Sequence, residues 1–131
     1  MNRMILATLA SGLWINLSEF LRNELLFKSY WLEKFADLGL TFPSNALNNA
    51  LWGVWGFLLA GSIAFSARRL PLASTIMISW TQAFLLMWVV IGNLNVLPLG
   101  LLPIAVPWSL VEVALAALIA RKILGSIVTA P

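Results

Sequence analysis

The sequence of 131 residues contains no cysteine and no histidine. Without these side chains the chain has no disulfide bond, no thiol chemistry and none of the common zinc or histidine-ligated haem sites. The aromatic residues are plentiful, with seven tryptophans, but there is a single tyrosine. We therefore expect a protein that works without a metal ion and without a cofactor.

Charge is scarce as well, at 10% of the residues, against 61% hydrophobic residues and a mean hydropathy of +0.93. A soluble fold of this size could not cover so much apolar surface. A membrane-spanning helix needs ~20 mostly apolar residues. Four such stretches predict an all-α integral membrane protein, a four-helix bundle forming a single domain over residues 1–131, with spans near 4–21, 45–67, 70–91 and 99–120. A cleaved signal peptide is the alternative for residues 1–18, but the apolar run continues to Glu19.

The basic residues lie at the ends of the predicted spans, where positive flanks set the orientation in a membrane. This placement argues against nucleic-acid binding despite the net charge of +3. Five basic residues fall on one side, and three fall on the other beside three acids: Arg3, Arg68, Arg69, Arg121 and Lys122 against Arg22, Lys28 and Lys34. We therefore predict a multi-pass protein of the cell membrane with both termini in the cytoplasm.

The connection over residues 23–42 has apolar and aromatic side chains at helical spacing with charges between them. This pattern predicts an amphipathic helix on the outer membrane face, with Tyr30 and Trp31 at headgroup level. Glu24 and Lys28 are placed for an i,i+4 ion pair.

The connection before the fourth span is rich in proline, with Pro98, Pro103 and Pro107, and has no charge. Proline inside a helix removes a backbone hydrogen bond and bends the helix. Two interpretations stay open. Either the fourth span begins near Pro98 and is kinked, or residues 97–106 are irregular and a short helix begins at Pro107, as in the broken helices of transporters.

Polar and small residues follow one stripe of each predicted span, which favours a polar bundle interior. Gly56, Ala60 and Ala64 form a small-xxx-small series that lets helices approach closely. Glu112 lies ~14 Å from the basic edge at Arg121, and the other strongly polar residues lie farther out. This distribution predicts a polar funnel open to the non-cytoplasmic side, with Glu112 near its floor. The candidates for binding a proton or a solute are Glu112, Glu19, Asn16, Gln82, Asn49, Trp108, Trp52 and Arg22.

Charges at membrane depth are rare and usually functional, yet each acid also has a structural interpretation. Glu112 can be a protonated carboxyl that is hydrogen-bonded to a neighbour such as Gln82. Glu19 can form a local i,i+3 ion pair with Arg22 near the outer interface.

Three function classes fit these residues, and no motif separates them. The first is a small transporter in which Glu112 and Glu19 exchange a proton, a cation or a small solute. It needs a homo-oligomer, because four spans enclose little volume. The second is a cofactor-free intramembrane enzyme that acts on a lipid or isoprenoid by glutamate acid–base chemistry. The third is an accessory subunit or binding protein of a larger membrane complex. In size and plan the chain resembles the small multidrug-resistance transporters, although Glu19 lies later in its span than their first-helix glutamate and Glu112 has no counterpart there.

Overall fold

A computed structural model describes residues 1–125, and within this range the chain is all-helical, with five helices and no strand. Four helices are long and apolar enough to cross a membrane. They are α1 (Arg3–Leu26), α3 (Ala46–Ala67), α4 (Leu72–Asn93) and α5 (Leu99–Leu124), and the shorter α2 (Lys28–Asp37) follows α1. The prediction of an all-α structure with four long apolar helices is therefore confirmed for residues 1–125.

Local chemistry sets the helix ends. Asn2 caps α1 by accepting a 2.9 Å hydrogen bond from the Met4 N–H, and Asn45 caps α3 by accepting a 3.0 Å bond from the Asn48 N–H. Such caps satisfy backbone donors that the first helical turn leaves free. Gly39, just beyond α2, has a φ of 70°, a conformation that glycine adopts readily.

Two of the long helices contain a π-helical turn, over Leu21–Leu26 in α1 and over Thr81–Leu85 in α4. A π turn bonds i to i+5, so it takes in about one residue more than an α turn and shifts the phase of every side chain after it. In α4 the buried residues are accordingly Thr75, Ser79, Phe84 and Trp88. The step of five residues from Ser79 to Phe84 falls on the π turn.

The helix α1 packs most extensively against α3 and α5. A Cβ atom on Gly56 of α3 would lie 2.6 Å from Asn16 Oδ1, and one on Gly12 of α1 would lie 2.3 Å from the Phe57 ring. These glycines therefore permit the close approach of α1 and α3. Gly56, Ala60 and Ala64 are all buried, as the small-xxx-small series predicts.

The basic residues of the predicted cytoplasmic side gather at one end of the bundle. An Arg121 N–H donates to the Leu70 carbonyl. Arg3 lies beside Gly125, since a Cβ atom added to Gly125 would be 3.7 Å from Arg3 Nη1. At the opposite end α2 lies against the first turn of α5, where a Cβ atom on Gly100 would lie 3.5 Å from the Tyr30 ring.

Two sequence-based predictions need correction. The amphipathic helix does not begin at residue 23, because α1 continues through its π turn to Leu26, and α2 is confined to Lys28–Asp37. A break before Pro107 is also wrong, since the α-helical part of α5 runs unbroken over Leu102–Leu124 after a short 3-10 turn. Pro107 lies inside this helix, on an exposed face, and the Pro103 carbonyl therefore lacks its helical hydrogen bond without the helix being interrupted.

Candidate functional site

The Glu112 side chain is the most deeply buried acid of the described residues, with 1% of its surface exposed. The Ser18 hydroxyl is hydrogen-bonded to Glu112 Oε2, and Trp108 Nε1 donates to Ser18 Oγ over 3.0 Å. Because Ser18 Oγ accepts the indole N–H, its own proton is directed at the carboxyl group. Trp14 Nε1 donates to the Glu112 backbone carbonyl over 3.0 Å, which ties α1 to the same turn of α5.

A second polar group comes from the last turns of α1. Arg22 Nη2 donates to Glu19 Oε1 over 2.5 Å, and Asn23 Nδ2 donates to Glu19 Oε2 over 2.8 Å. Arg22 is 4% exposed and Glu19 is 13% exposed, so this ion pair is largely withdrawn from solvent. The local pairing of Glu19 with Arg22 that the spacing predicts is confirmed.

The two groups form one cluster, since the Glu112 carboxyl lies within electrostatic reach of both Glu19 and Arg22. Three of its polar atoms have no hydrogen-bond partner among the described residues: Glu112 Oε1, Arg22 Nε and Arg22 Nη1. Buried polar atoms are nearly always bonded, and an unpaired one costs roughly 1–3 kcal/mol. Among residues 1–125 two guanidinium N–H groups therefore lack an acceptor, and the Glu112 carboxyl lies beside the Glu19 carboxyl, with which it can share a proton.

Aromatic rings cover the charged groups. The Arg22 guanidinium carbon lies 5.6 Å from the centre of the Phe84 ring, and Phe84 is fully buried. Phe84 occupies this position because of the π turn in α4. A cation over an aromatic face is stabilised by the ring quadrupole, the more so where water is excluded.

The amphipathic helix α2 closes the end of the cluster that is farther from the basic end. Trp31 Nε1 donates to Asn23 Oδ1 over 3.1 Å, which extends the hydrogen-bond chain from Glu19 to the surface of α2. Phe27, just before α2, packs edge-on against Trp108 at 6.2 Å between ring centres.

Of the predicted site residues, the structure brings together Glu112, Glu19, Arg22 and Trp108. Asn16 lies nearby on α1, where its Nδ2 donates to the Gly12 and Gly53 carbonyls over 2.9 and 3.4 Å and so joins α1 to α3. The proposed contact of Glu112 with Gln82 does not occur.

Three other candidates do not face the bundle interior. Trp52 is 52% exposed, and Asn49 and Gln82 are exposed as well. In α4 the π turn rotates Gln82 away from the buried face. In α3 the buried residues begin only at Gly56, which lies beyond Asn49 and Trp52 in the chain. The prediction of an open funnel lined by four helices is therefore wrong, and a closed cluster takes its place.

Sequence reasoning missed Ser18, Trp31 and Phe84 as members of the cluster, and it placed Asn23 on the interior stripe of the first span without counting it as a site residue. The sequence does contain a signal for Ser18. It lies on a second polar stripe at i, i+4 and i+8, formed by Trp14, Ser18 and Arg22, and this stripe is offset by one residue from the stripe that contains Glu19. Nothing local marks Phe84 or Trp31, because the first depends on a π turn and the second on how α2 folds back.

The donor set of the cluster suits hydrogen-bond, ion-pair and proton chemistry. Among residues 1–125 no group of three or more acidic side chains is placed to hold a metal ion. Comparison with protein-family models, with curated proteins and with solved structures finds no match to this chain.

Proposed function

We propose that the chain is a small multi-pass membrane transporter in which Glu112 binds a proton and a small cationic or polar solute in turn, so that one is exchanged for the other. The four long apolar helices support a membrane location. The orientation with cytoplasmic termini is supported by the charge count, because burial of Arg22 against Glu19 removes it from the outer side. Two basic residues then remain there, Lys28 and Lys34, against five at the other end.

The observation that carries the proposal is the position of Glu112 beside the Glu19–Arg22 ion pair, inside a bundle, where Oε1 has no hydrogen-bond donor among residues 1–125. Packing alone does not require such a group, since well-packed apolar residues in place of buried charges are often equally stable or more stable. Intramembrane acids of this kind serve in proton relays and in ion pathways.

The geometry suggests how exchange proceeds. A protonated Glu112 is neutral and accepts the Ser18 hydroxyl at Oε2, while Glu19 neutralises Arg22. When Glu112 loses its proton, two carboxylates compete for one guanidinium, whose Nε and Nη1 have no acceptor among residues 1–125 and can turn toward Glu112. A cationic solute can then replace either the proton or the guanidinium. Loosening of the Glu19–Arg22 pair would be transmitted through Asn23 and Trp31 to α2.

A second candidate is an intramembrane enzyme that acts on a lipid or isoprenoid. A groove of about 360 Å³ between α4 and α5 favours it, because apolar side chains line the groove and suit contact with a hydrocarbon chain. Its wall includes Trp80, whose Nε1 donates to Ser109 Oγ over 2.8 Å, one turn from Glu112. The groove and the carboxyl cluster thus share the α5 helix.

The test is transport by purified protein in lipid vesicles that contain a pH-sensitive dye. We expect an imposed pH gradient to decay when cationic probes such as tetraphenylphosphonium or choline are added. Glu112→Gln keeps the size and hydrogen-bonding capacity of the side chain but cannot ionise, so decay should fall to the rate of protein-free vesicles. Glu33→Gln, the same change at an exposed site on α2, is the matched control and should behave as wild type.

If the pH gradient decayed at the wild-type rate in both Glu112→Gln and Glu112→Leu, Glu112 would have only a packing role and the transport proposal would be rejected. A vesicle assay in which no probe moves, together with lipid recovered in the α4–α5 groove, would favour the enzyme instead.

A further inference from the structure

The helix α4 has a polar side chain at the centre of its outer surface. Gln82 is exposed, and it lies ~15 Å from either end of the helix at ~1.5 Å of rise per residue. A glutamine side chain is too short to reach water across that distance. If the chain spans a membrane, as proposed above, this amide faces hydrocarbon, where an unpaired polar group costs several kcal/mol.

The surface around Gln82 is apolar and uncharged. Met77, Ile78, Leu85 and Leu86 are each between 41% and 54% exposed, and α4 contains no charged residue. Of the four long helices α4 is also the least covered, with 22% of its most apolar stretch buried against 28% to 33% in the others. A shallow depression of about 270 Å³, lined by Met77, Ile78, Thr81 and Gln82, lies on this face.

We infer that two copies of the chain associate through α4, with Gln82 of each copy hydrogen-bonded to Gln82 of the other. A glutamine amide both donates and accepts, so it is its own complement across a two-fold axis. Hydrogen bonds between amides are a known source of helix association in membranes. A second copy supplies the matching group at the same depth by symmetry, whereas any other partner must carry it independently. The absence of charge on α4 leaves no repulsion between the two copies.

The π turn in α4 links this surface to the polar cluster. It turns Phe84 inward against Arg22 and Gln82 outward, so one backbone feature builds both the cover of the ion pair and the dimer contact. In such a dimer the two polar clusters lie on opposite sides of the α4–α4 interface, one inside each copy.

The chain contains no cysteine, so single introduced cysteines report contacts without a background. Ile78→Cys and Leu86→Cys flank Gln82 on the same face, because the π turn rotates Leu85 toward the α4–α5 groove. The matched control is Leu58→Cys, at mid-depth on α3, where Leu58 is 70% exposed. After oxidation in the membrane fraction we expect disulfide-linked dimers from at least one α4 variant and none above background from Leu58→Cys.

The second measurement is the dimer fraction of fluorescently labelled protein diluted in vesicles. Gln82→Leu should weaken dimerisation roughly tenfold, and Gln82→Asn, which keeps an amide, should weaken it less. Because Gln82 lies on the outer surface, neither change disturbs the bundle core. Equal cross-linking by Leu58→Cys, or an unchanged dimer fraction in Gln82→Leu, would overturn the inference.

The dimer and the transporter can fail separately. Glu112→Gln should dimerise as wild type does, because Glu112 is remote from the outer face of α4. Loss of transport in Glu112→Gln with an unchanged dimer fraction in Gln82→Leu would reject the dimer alone. Amide-dependent dimers with wild-type transport in Glu112→Gln would reject only the role of Glu112. Release of the protein from membranes by alkaline extraction would reject both.

Discussion

The seam between α1 and α5 is built differently at its two ends. Near the basic end the buried residues are small and the helices lie close together: Ala7, Ser11, Ala116, Ala117 and Ala120. At the other end the same two helices contact each other through charged, polar and aromatic side chains, namely Ser18, Arg22, Trp108 and Glu112. The small half shows that these helices can pack without charged side chains. The charged half is therefore an addition that packing does not explain, and this contrast supports a functional role.

The largest effect on stability is expected from Arg22→Leu. Removing one partner of a largely buried ion pair leaves Glu19 without its counter-charge, and we expect a loss of about 3 kcal/mol in the free energy of unfolding. Unfolding in mixed micelles by added denaturing detergent measures this change. Combining Arg22→Leu with Glu19→Gln should recover most of the stability, because the unpaired charge is gone.

Transport distinguishes the two roles of this pair. We expect the double variant to fold yet remain inactive, since the guanidinium for which Glu112 and Glu19 compete is missing. Full recovery of both stability and transport would make the pair structural and remove Glu19 from the site.

A smaller effect is expected from serine substitutions that compare the two halves of the seam. Ser18→Ala removes a partner of both Glu112 Oε2 and Trp108 Nε1, leaving two buried groups unsatisfied. We expect a loss of about 1–3 kcal/mol, together with a change in the pH dependence of transport. Ser11 Oγ donates to the Ala116 carbonyl over 3.1 Å, so Ser11→Ala loses one bond. It should cost about 1 kcal/mol and leave the pH profile unchanged. If transport had the same pH dependence in Ser18→Ala and Ser11→Ala, the functional difference between the two halves of the seam would be rejected.

The smallest effect concerns the close approach of α1 and α3. A methyl group on Gly56 displaces the Asn16 side chain, whereas one on Gly61 meets Thr8 at 3.7 Å, an ordinary contact. Gly61→Ala should stabilise the helix by up to about 1 kcal/mol. Gly56→Ala should be less stable than Gly61→Ala by about 1 kcal/mol, the low end for overpacked sites, because Asn16 is a flexible side chain. The same unfolding assay ranks the two, and a more stable Gly56→Ala would show that Asn16 does not depend on contact with a glycine.

The amino-acid sequence by itself determined the helical class and the number of long apolar helices, because a run of apolar residues with almost no charge favours few other structures. It also determined the local pairs, since residues three or four apart on a helix are neighbours wherever that helix lies. Glu19 with Arg22 and Glu24 with Lys28 both pair as their spacing predicts.

Only the tertiary structure decided which face of each helix is buried. A strict 3.6-residue period places Gln82 inside with Ser79, but the π turn adds a residue and buries Phe84 in its place. The meeting of Ser18 with Glu112 joins residues 94 positions apart in the chain, and no local pattern encodes it. Helix phase and helix pairing depend on the packing of the whole bundle, whereas helix existence depends on the composition of a single stretch.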